Sequence, residues 1–423
     1  MKEDFLHYVW KFQKFNKKEL QTTQGGLLKI VSPGSHNFDS GPDFFNAKLT
    51  LNGQMWAGNV EIHLNASDWY AHHHQKDPAY DNVILHVVWI HDADIFRSDN
   101  SVIPAIELRG LVEGNTLSGY HNLFSEKKKW INCENDFANV DNLILNSWLE
   151  RLYFERLGSK SVLIMDELKS LQNHWEALLF RMLCKNFGLK VNGASFLSLA
   201  RSVDFSVVQK CSRHKLELEA LLFGQSGLLN MTWDDEYFNQ LKAHYLFLKH
   251  KFNLDNKTVI APKFFRLRPP NFPTIRLSQL AALYASRRSL FSEVISKNEP
   301  EEFYELFDVV VNDYWDTHYN FGTSSGERKK ILNKKFIDLL LINTIIPIKF
   351  CYRKHLGKDI GEDLVELAQK IAKEDNGIIR KFGELGYVAE NVFESQALIQ
   401  LKSNYCDEKR CLHCAVGNVI LKG

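Results

Sequence analysis

The chain has 423 residues, more than one hydrophobic core usually organises, and its 45% hydrophobic content lets each of two or three domains bury a core. A net charge of +1 supplies no global field for phosphate polyanions, so a non-specific nucleic-acid coat is disfavoured and any such contact needs local patches. No apolar run reaches the roughly 20 clean residues of a bilayer span, and seven cysteines with three clustered near the end do not form a small secreted disulfide framework. A cytoplasmic protein without membrane contact is expected.

The opening MKEDFLHYVWKFQKFNKKEL mixes acids and bases along an amphipathic pattern and predicts a first helix in place of a signal peptide. LLKIV follows Gly25-Gly26 as a strand, and SPGSHNFDSGPDF is a polar loop of the kind that carries function. AKLTL and GNVEIHL flank Asn52-Gly53, whose positive backbone angles make a tight hairpin turn. Asp68 to Gln75 is predicted as a short helix started by a Ser67 cap and stopped before Pro78. VILHVVWI reads as a buried central strand, and Pro104 to Leu108 adds another. From about Asn142, NSWLERLYFERL, HWEALLFRMLCKNF, KLELEALLF and YFNQLKAHYLFLKH place apolar residues three and four apart, so the remainder is mostly helical. The expected organisation is an α/β domain over 1–140, a helical domain over 141–400 and a cysteine-rich segment over 401–423.

In GNVEIHL, strand alternation sends Glu61 and His63 to one face and Val60, Ile62 and Leu64 to the other. Asp43 stands at the mouth of the preceding hairpin strand, within reach of Glu61 if the two strands pair. Two carboxylates make a site for a hard divalent cation, Mg2+ or Mn2+. Alternation would equally place Glu61 and His63 on the open face of a half-buried hairpin, but six histidines between His63 and His91 favour a site.

These residues, in the order Pro42-Asp43 and then Glu61-Ile62-His63, resemble the PD-(D/E)xK nuclease superfamily over about Lys2 to Gly110. The resemblance implies a restriction-endonuclease-like mixed sheet, a bound divalent cation, nucleic acid as substrate with DNA first in view, and phosphodiester hydrolysis. His63 stands where the superfamily has lysine; it would act as general base or as metal ligand. Lys48 is the candidate for the missing charge. Over its whole length the chain is also similar to a bacterial family described only as a domain of unknown function.

The i, i+4 stripe of Trp69, His73 and Asp77 makes His73 an accessory site candidate, with His72 and His74 then turned to solvent. His86 shares a strand face with Ile84 and Val88 and is either a second accessory residue or a hydrogen-bonded core histidine. NYCDEKRCLHCAVGN spaces Cys406, Cys411 and Cys414 for a structural metal, zinc or iron–sulfur, with Cys133, Cys351 or His413 as fourth ligand. The PD-(D/E)xK resemblance points to Cys133, since some exonucleases of that superfamily use one upstream and three C-terminal cysteines. RLRPPNFPTIR offers Arg266, Arg268 and Arg276 to a phosphate backbone, or serves as an inter-helix connection. Lys127 to Lys129 beside Trp130 form a smaller basic patch. A metallohydrolase with Glu61, His63 and His73 on zinc, and a scaffold that keeps the fold without catalysis, are the competing readings.

Overall fold

A computed structural model describes residues 1–124, 129–359 and 361–421. Two compact units emerge: one holds residues 1–148, 384–387 and 401–423, the other residues 149–383 and 388–400. The C-terminal cysteine segment thus belongs to the first unit instead of standing alone. The expected basic patch loses Lys127 and Lys128, which lie outside the described residues. Among the described residues, no helix is long and apolar enough to cross a membrane.

The first unit begins with helix α1 (Glu3–Lys11), whose acidic first turn and basic last residue complement the helix dipole. It buries Phe5, Leu6, Tyr8, Val9 and Trp10. It is shorter than the opening pattern suggests, because Gln13 adopts φ 54° and breaks the helical run. Strands β1 (Leu28–Ser32), β2 (Ser35–His36), β3 (Phe44–Leu51), β4 (Gln54–Asn65), helix α2 (Asp68–Ala71), strands β5 (Val83–Ile90) and β6 (Ala105–Glu107), and helix α3 (Gly114–Leu123) follow. The sheet runs β1-β3-β4-β5-β6, with β2 beside β3. Its β1-β3-β4 half is antiparallel, whereas β4, β5 and β6 run parallel. The fold is a mixed α/β arrangement, as the strand order in the sequence predicts.

The β3–β4 turn is the expected one: Asn52 and Gly53 take φ 49° and 86°. Near the turn, Leu51 pairs Gln54 and Ala47 pairs Gly58, and continuing that register would set Asp43 across from Ile62. A bulge between Phe44 and Ala47 shifts the register, so that Phe44 pairs Val60 and Asp43 falls opposite Glu61. Asn46, at φ 57°, occupies the bulge, and its amide donates to Asn59 Oδ1 at 3.3 Å. One inserted residue therefore decides which face of the sheet the Asp43 carboxylate joins.

The second unit is built largely from helices. Helix α4 (Asn142–Ser170) runs into it from the first unit, and α5 (Trp175–Phe187), α6 (Leu189–Arg201), α7 (Phe205–Cys211), α8 (Lys215–Gln225), α9 (Glu236–Lys251) and α10 (Pro273–Ser286) carry its core. Pro273 sits in the first turn of α10, where a missing amide costs nothing. A two-stranded hairpin at His318–Asn320 and Thr323–Ser324 interrupts the helical pattern.

Candidate metal centre

Both faces of the central strands are covered. Glu61 is 4% exposed, His63 1% and His86 0%, as buried as their alternating neighbours Val60 and Ile62. An open hairpin face is therefore excluded for these three. Buried polar groups demand partners, and here the partners are one another.

Asp43 and Glu61 interlock across the bulged hairpin. The Asp43 amide donates to Glu61 Oε2 at 3.1 Å, and the Ile62 amide donates to Asp43 Oδ2 at 2.9 Å. From α1, His7 Nε2 approaches Asp43 Oδ2 at 3.2 Å. The other Glu61 oxygen, Oε1, lies 3.5 Å from His63 Nε2 and 3.2 Å from His74 Nε2. His63 Nε2 is in turn 3.1 Å from His72 Nδ1, while His63 Nδ1 is 2.8 Å from His86 Nε2.

The turn after β4 supplies two of these rings. Asp68 accepts from the Asn65 amide at 2.9 Å and starts α2, which lasts only to Ala71. Ser67 does not cap it; its hydroxyl donates to Asp92 at 2.6 Å instead. His73 then takes φ 62°, ending the helix as a left-handed residue does. That break overturns the expected stripe: His73 has no part in the cluster, whereas half-buried His74 and His72, itself exposed, bring ring nitrogens to Glu61 and His63. Tyr80 stacks on His74 with centroids 3.8 Å apart, and Trp69 contacts both His74 and His86.

Among the described residues, His63, His72 and His74 form the one group of three or more His, Cys, Asp or Glu donors lying mutually within 4.8 Å. His74 Nε2 is buried without a hydrogen bond. Such an orphaned ring nitrogen, facing a carboxylate oxygen and two further imidazoles, suits a divalent transition ion.

Electrostatics agree with that fit. Burial, and next to it the Asp43 carboxylate, push the Glu61 carboxyl up to about 9, so without a cation it holds its proton at neutral pH. Burial, reinforced by His74 and His72, lowers His63 to about 3, and burial lowers His74 as well. These rings are neutral and present lone pairs. Burial alone would lower His7 too, but the adjacent Asp43 outweighs it and raises this histidine.

The remaining candidates scatter. Lys48 is exposed on β3, opposite Ala57 and Ser32, and among the described residues no hydrogen bond or ion pair joins it to Asp43, Glu61 or His63. Arg266 and Arg268 are exposed, but Arg276 is buried: its guanidinium donates to Gln279 Oε1 at 2.8 Å and Asn271 Oδ1 at 2.5 Å and stacks over Phe336. Arg276 is thus a core residue of α10, unable to reach a phosphate backbone. Cys133, Cys406, Cys411 and Cys414 line one cavity of the first unit, whereas Cys351 is buried in the second. His7, His72 and His74 are the site residues that sequence reasoning missed. For His7 the sequence carried no signal beyond an amphipathic helix; for the other two it was histidine density alone.

A mixed sheet whose bulged hairpin gathers two carboxylates beneath a histidine-rich turn defines a mixed α/β protein with a candidate metal centre. The chain belongs to the family described as protein of unknown function DUF2851, whose model matches residues 3–377. No curated protein and no solved structure matches it.

Proposed function

We propose that the first unit is a metal-dependent phosphodiester hydrolase of the PD-(D/E)xK type, acting on nucleic acid and on DNA first. The observation that carries this reading is the register shift that pairs Phe44 with Val60 and brings Asp43 into hydrogen bonds with Glu61 and Ile62 of the central strand β4, in the element order of that superfamily. Glu61, His63, His72 and His74 would hold the ion, with Asp43 beside them. Several imidazoles beside a carboxylate favour Mn2+ or a softer transition ion over Mg2+. When bound, the ion would polarise the scissile phosphate and lower the pKa of an attacking water.

Of the two roles open to His63, this reading takes ligand. A ring held near 3 is a weak base at neutral pH, and its Nε2 points at the carboxylate and the two partner rings. In this reading His63 would bind and orient the ion, not take a proton. His7, aligned on Asp43, fixes that carboxylate from the α1 side.

The test is cleavage of single- and double-stranded DNA and of RNA by the full chain, with Mn2+, Mg2+ or Zn2+ supplied. Cleavage lost in the Asp43→Ala, Glu61→Ala double variant is expected. Undiminished cleavage by that variant, or no cleavage under any metal, removes the nuclease reading. A second reading, a zinc hydrolase acting on another substrate class, is favoured specifically by the three-histidine group. Zinc retained through purification, without nucleic-acid cleavage, selects it.

A further inference from the structure

The second unit holds a cavity of about 210 Å³ whose walls are basic. Helix α10 supplies Arg276 and Gln279 to it, and the hairpin at His318–Asn320 with the loop that follows supplies Tyr319, Arg328, Lys329 and Lys330. Side-chain bonds from α10 fix that second wall: Thr274 Oγ1 donates to Tyr319 O at 2.6 Å, and Gln279 Nε2 donates to Lys330 O at 2.9 Å and to Ile331 O at 3.2 Å. Four cationic side chains that repel one another are thereby held around one space.

Two of the four are buried, Arg276 at 4% exposure and Lys330 at 5%. A buried cation is costly unless an anion accompanies it. Arg276 has only neutral company: the side-chain amide oxygens of Gln279 and Asn271 and the face of Phe336. These contacts orient the guanidinium without neutralising it, and its Nε is buried with no hydrogen bond. Lys330 Nζ donates to two backbone carbonyls, Asp316 O at 3.1 Å and Arg328 O at 2.8 Å, and stands over the Tyr319 ring. The Asp316 carboxylate is bound by Lys329. Among the described residues that line the cavity, none is Asp or Glu. Burial opposes the charge on both Arg276 and Lys330.

An anion in the cavity would complete this arrangement. One water needs roughly 10–15 Å³, so the space admits a small polyatomic ion. An internal phosphodiester of a nucleic acid carries chain on both sides and is shut out from so buried a guanidinium, whereas a free or terminal phosphate is not. A phosphate group brings about 1.5 to 2 negative charges at neutral pH and three acceptor oxygens, and so matches Arg276, Arg328 and Lys330 better than the single charge of a carboxylate does. The guanidinium fork and the ammonium point charge both suit those oxygens. We infer that this cavity binds a phosphate group, as free phosphate or as the terminal phosphate of a small phosphorylated molecule, on Arg276 and Lys330 at its buried side and on the exposed Arg328. The site shares no residue with the histidine centre.

The full chain is titrated calorimetrically with inorganic phosphate, phenyl phosphate and acetate. Both phosphates should bind, at least one of them about tenfold or more tighter than acetate, and the tighter of the two tells free phosphate from phosphate ester. Arg276→Lys keeps the charge but loses the fork, and Arg328→Gln removes an exposed charge; each should weaken phosphate binding by about tenfold or more. Arg268→Gln, outside the cavity, and the Asp43→Ala, Glu61→Ala variant should bind phosphate as the parent does. No phosphate binding up to about 10 mM, or acetate bound as tightly as either phosphate, overturns the inference. Unchanged affinity in Arg276→Lys or in Arg328→Gln overturns the ligand set, and loss of binding in the Asp43→Ala, Glu61→Ala variant places the anion at the histidine centre instead. If Arg276→Lys does not fold, Arg328→Gln, altered at an exposed position, decides.

Discussion

His86 Nε2 lies 2.8 Å from His63 Nδ1, and this one contact sets which nitrogen of His63 faces the candidate metal centre. For His63 to bind through Nε2, its proton must sit on Nδ1 and be donated to His86, an outer partner that fixes tautomer and ring orientation together. His86→Leu removes that acceptor and leaves a buried donor unpaired, at a cost of about 1–3 kcal/mol in stability. The expected loss of Mn2+ affinity is about 10- to 100-fold, read by calorimetric titration of the purified chain. Unchanged affinity would show that His86 is only a core histidine.

Metal binding should release a proton. Glu61, held at about 9 by burial and by Asp43, must give up its proton to become a ligand, whereas His63 and His74 are already neutral. Apparent affinity is therefore expected to rise about tenfold per pH unit through neutrality and to level off near 9. Titrations in buffers of different ionisation enthalpy count the proton directly. A flat affinity between about pH 6 and 8 would mean that Glu61 is not a ligand.

The same carboxyl sets a slope in the metal-free protein. Because the folded value is raised above the ordinary 4.5, the folded chain keeps a proton that the unfolded chain has lost, so stability falls as pH rises from about 4.5 to about 9. The ceiling on that slope is about 1.4 kcal/mol per pH unit. Glu61→Gln keeps an acceptor for the Asp43 amide without the charge, and should flatten the slope and raise the unfolding temperature at pH 8 while abolishing metal binding. A variant less stable than the parent at that pH would contradict this account.

Much of the candidate site was legible because strands obey a strict period of two. GNVEIHL places Glu61 with His63 in any sheet, and Asn52-Gly53 fixes the hairpin. The bulge at Asn46 was not legible, although Asp43 joins the site through it, because an inserted residue leaves no periodic signature in so short a strand. His72 and His74 were misassigned for a related reason. A helical stripe assumes an unbroken helix, and one left-handed residue at His73 rotates everything after it. Arg276 shows the opposite limit: three arginines among prolines look alike in sequence, but only packing shows that one of them is buried beneath Phe336.

In the second unit, Glu167 is 3% exposed and bonded to Arg181 at 3.0 Å and to Arg201 Nε at 3.0 Å. Burial raises its carboxyl, but the two guanidinium groups outweigh burial and hold it below its ordinary value. A lowered carboxyl contributes stability that is present above the unfolded value of about 4.5 and is lost as pH falls through the folded one. Glu167→Gln should therefore cost about 1–3 kcal/mol at pH 7, toward the low end because Arg201 is half exposed. The gap from the parent should close on acidification below the carboxylate range, measured by urea unfolding at several pH values. A gap that persists at acid pH would assign the loss to packing instead of charge.

Two glycines inside helices should respond in opposite directions to the same substitution. Alanine normally stabilises a helix interior by about 1 kcal/mol relative to glycine. At Gly158 in α4 an added Cβ meets nothing within 4 Å, so Gly158→Ala should raise stability by about 0.5–1 kcal/mol. At Gly224 in α8 the Cβ would stand 2.0 Å from the Tyr245 ring of α9. That ring cannot swing away cheaply, because Tyr245 is 4% exposed and its hydroxyl donates to Gln225 at 2.9 Å. Gly224→Ala should force α8 and α9 apart and lower stability, the overpacking cost of about 1–3 kcal/mol or more exceeding the helical gain. Thermal unfolding of the two variants side by side gives the signs, and a Gly224→Ala protein as stable as Gly158→Ala would mean that the α8–α9 contact yields freely.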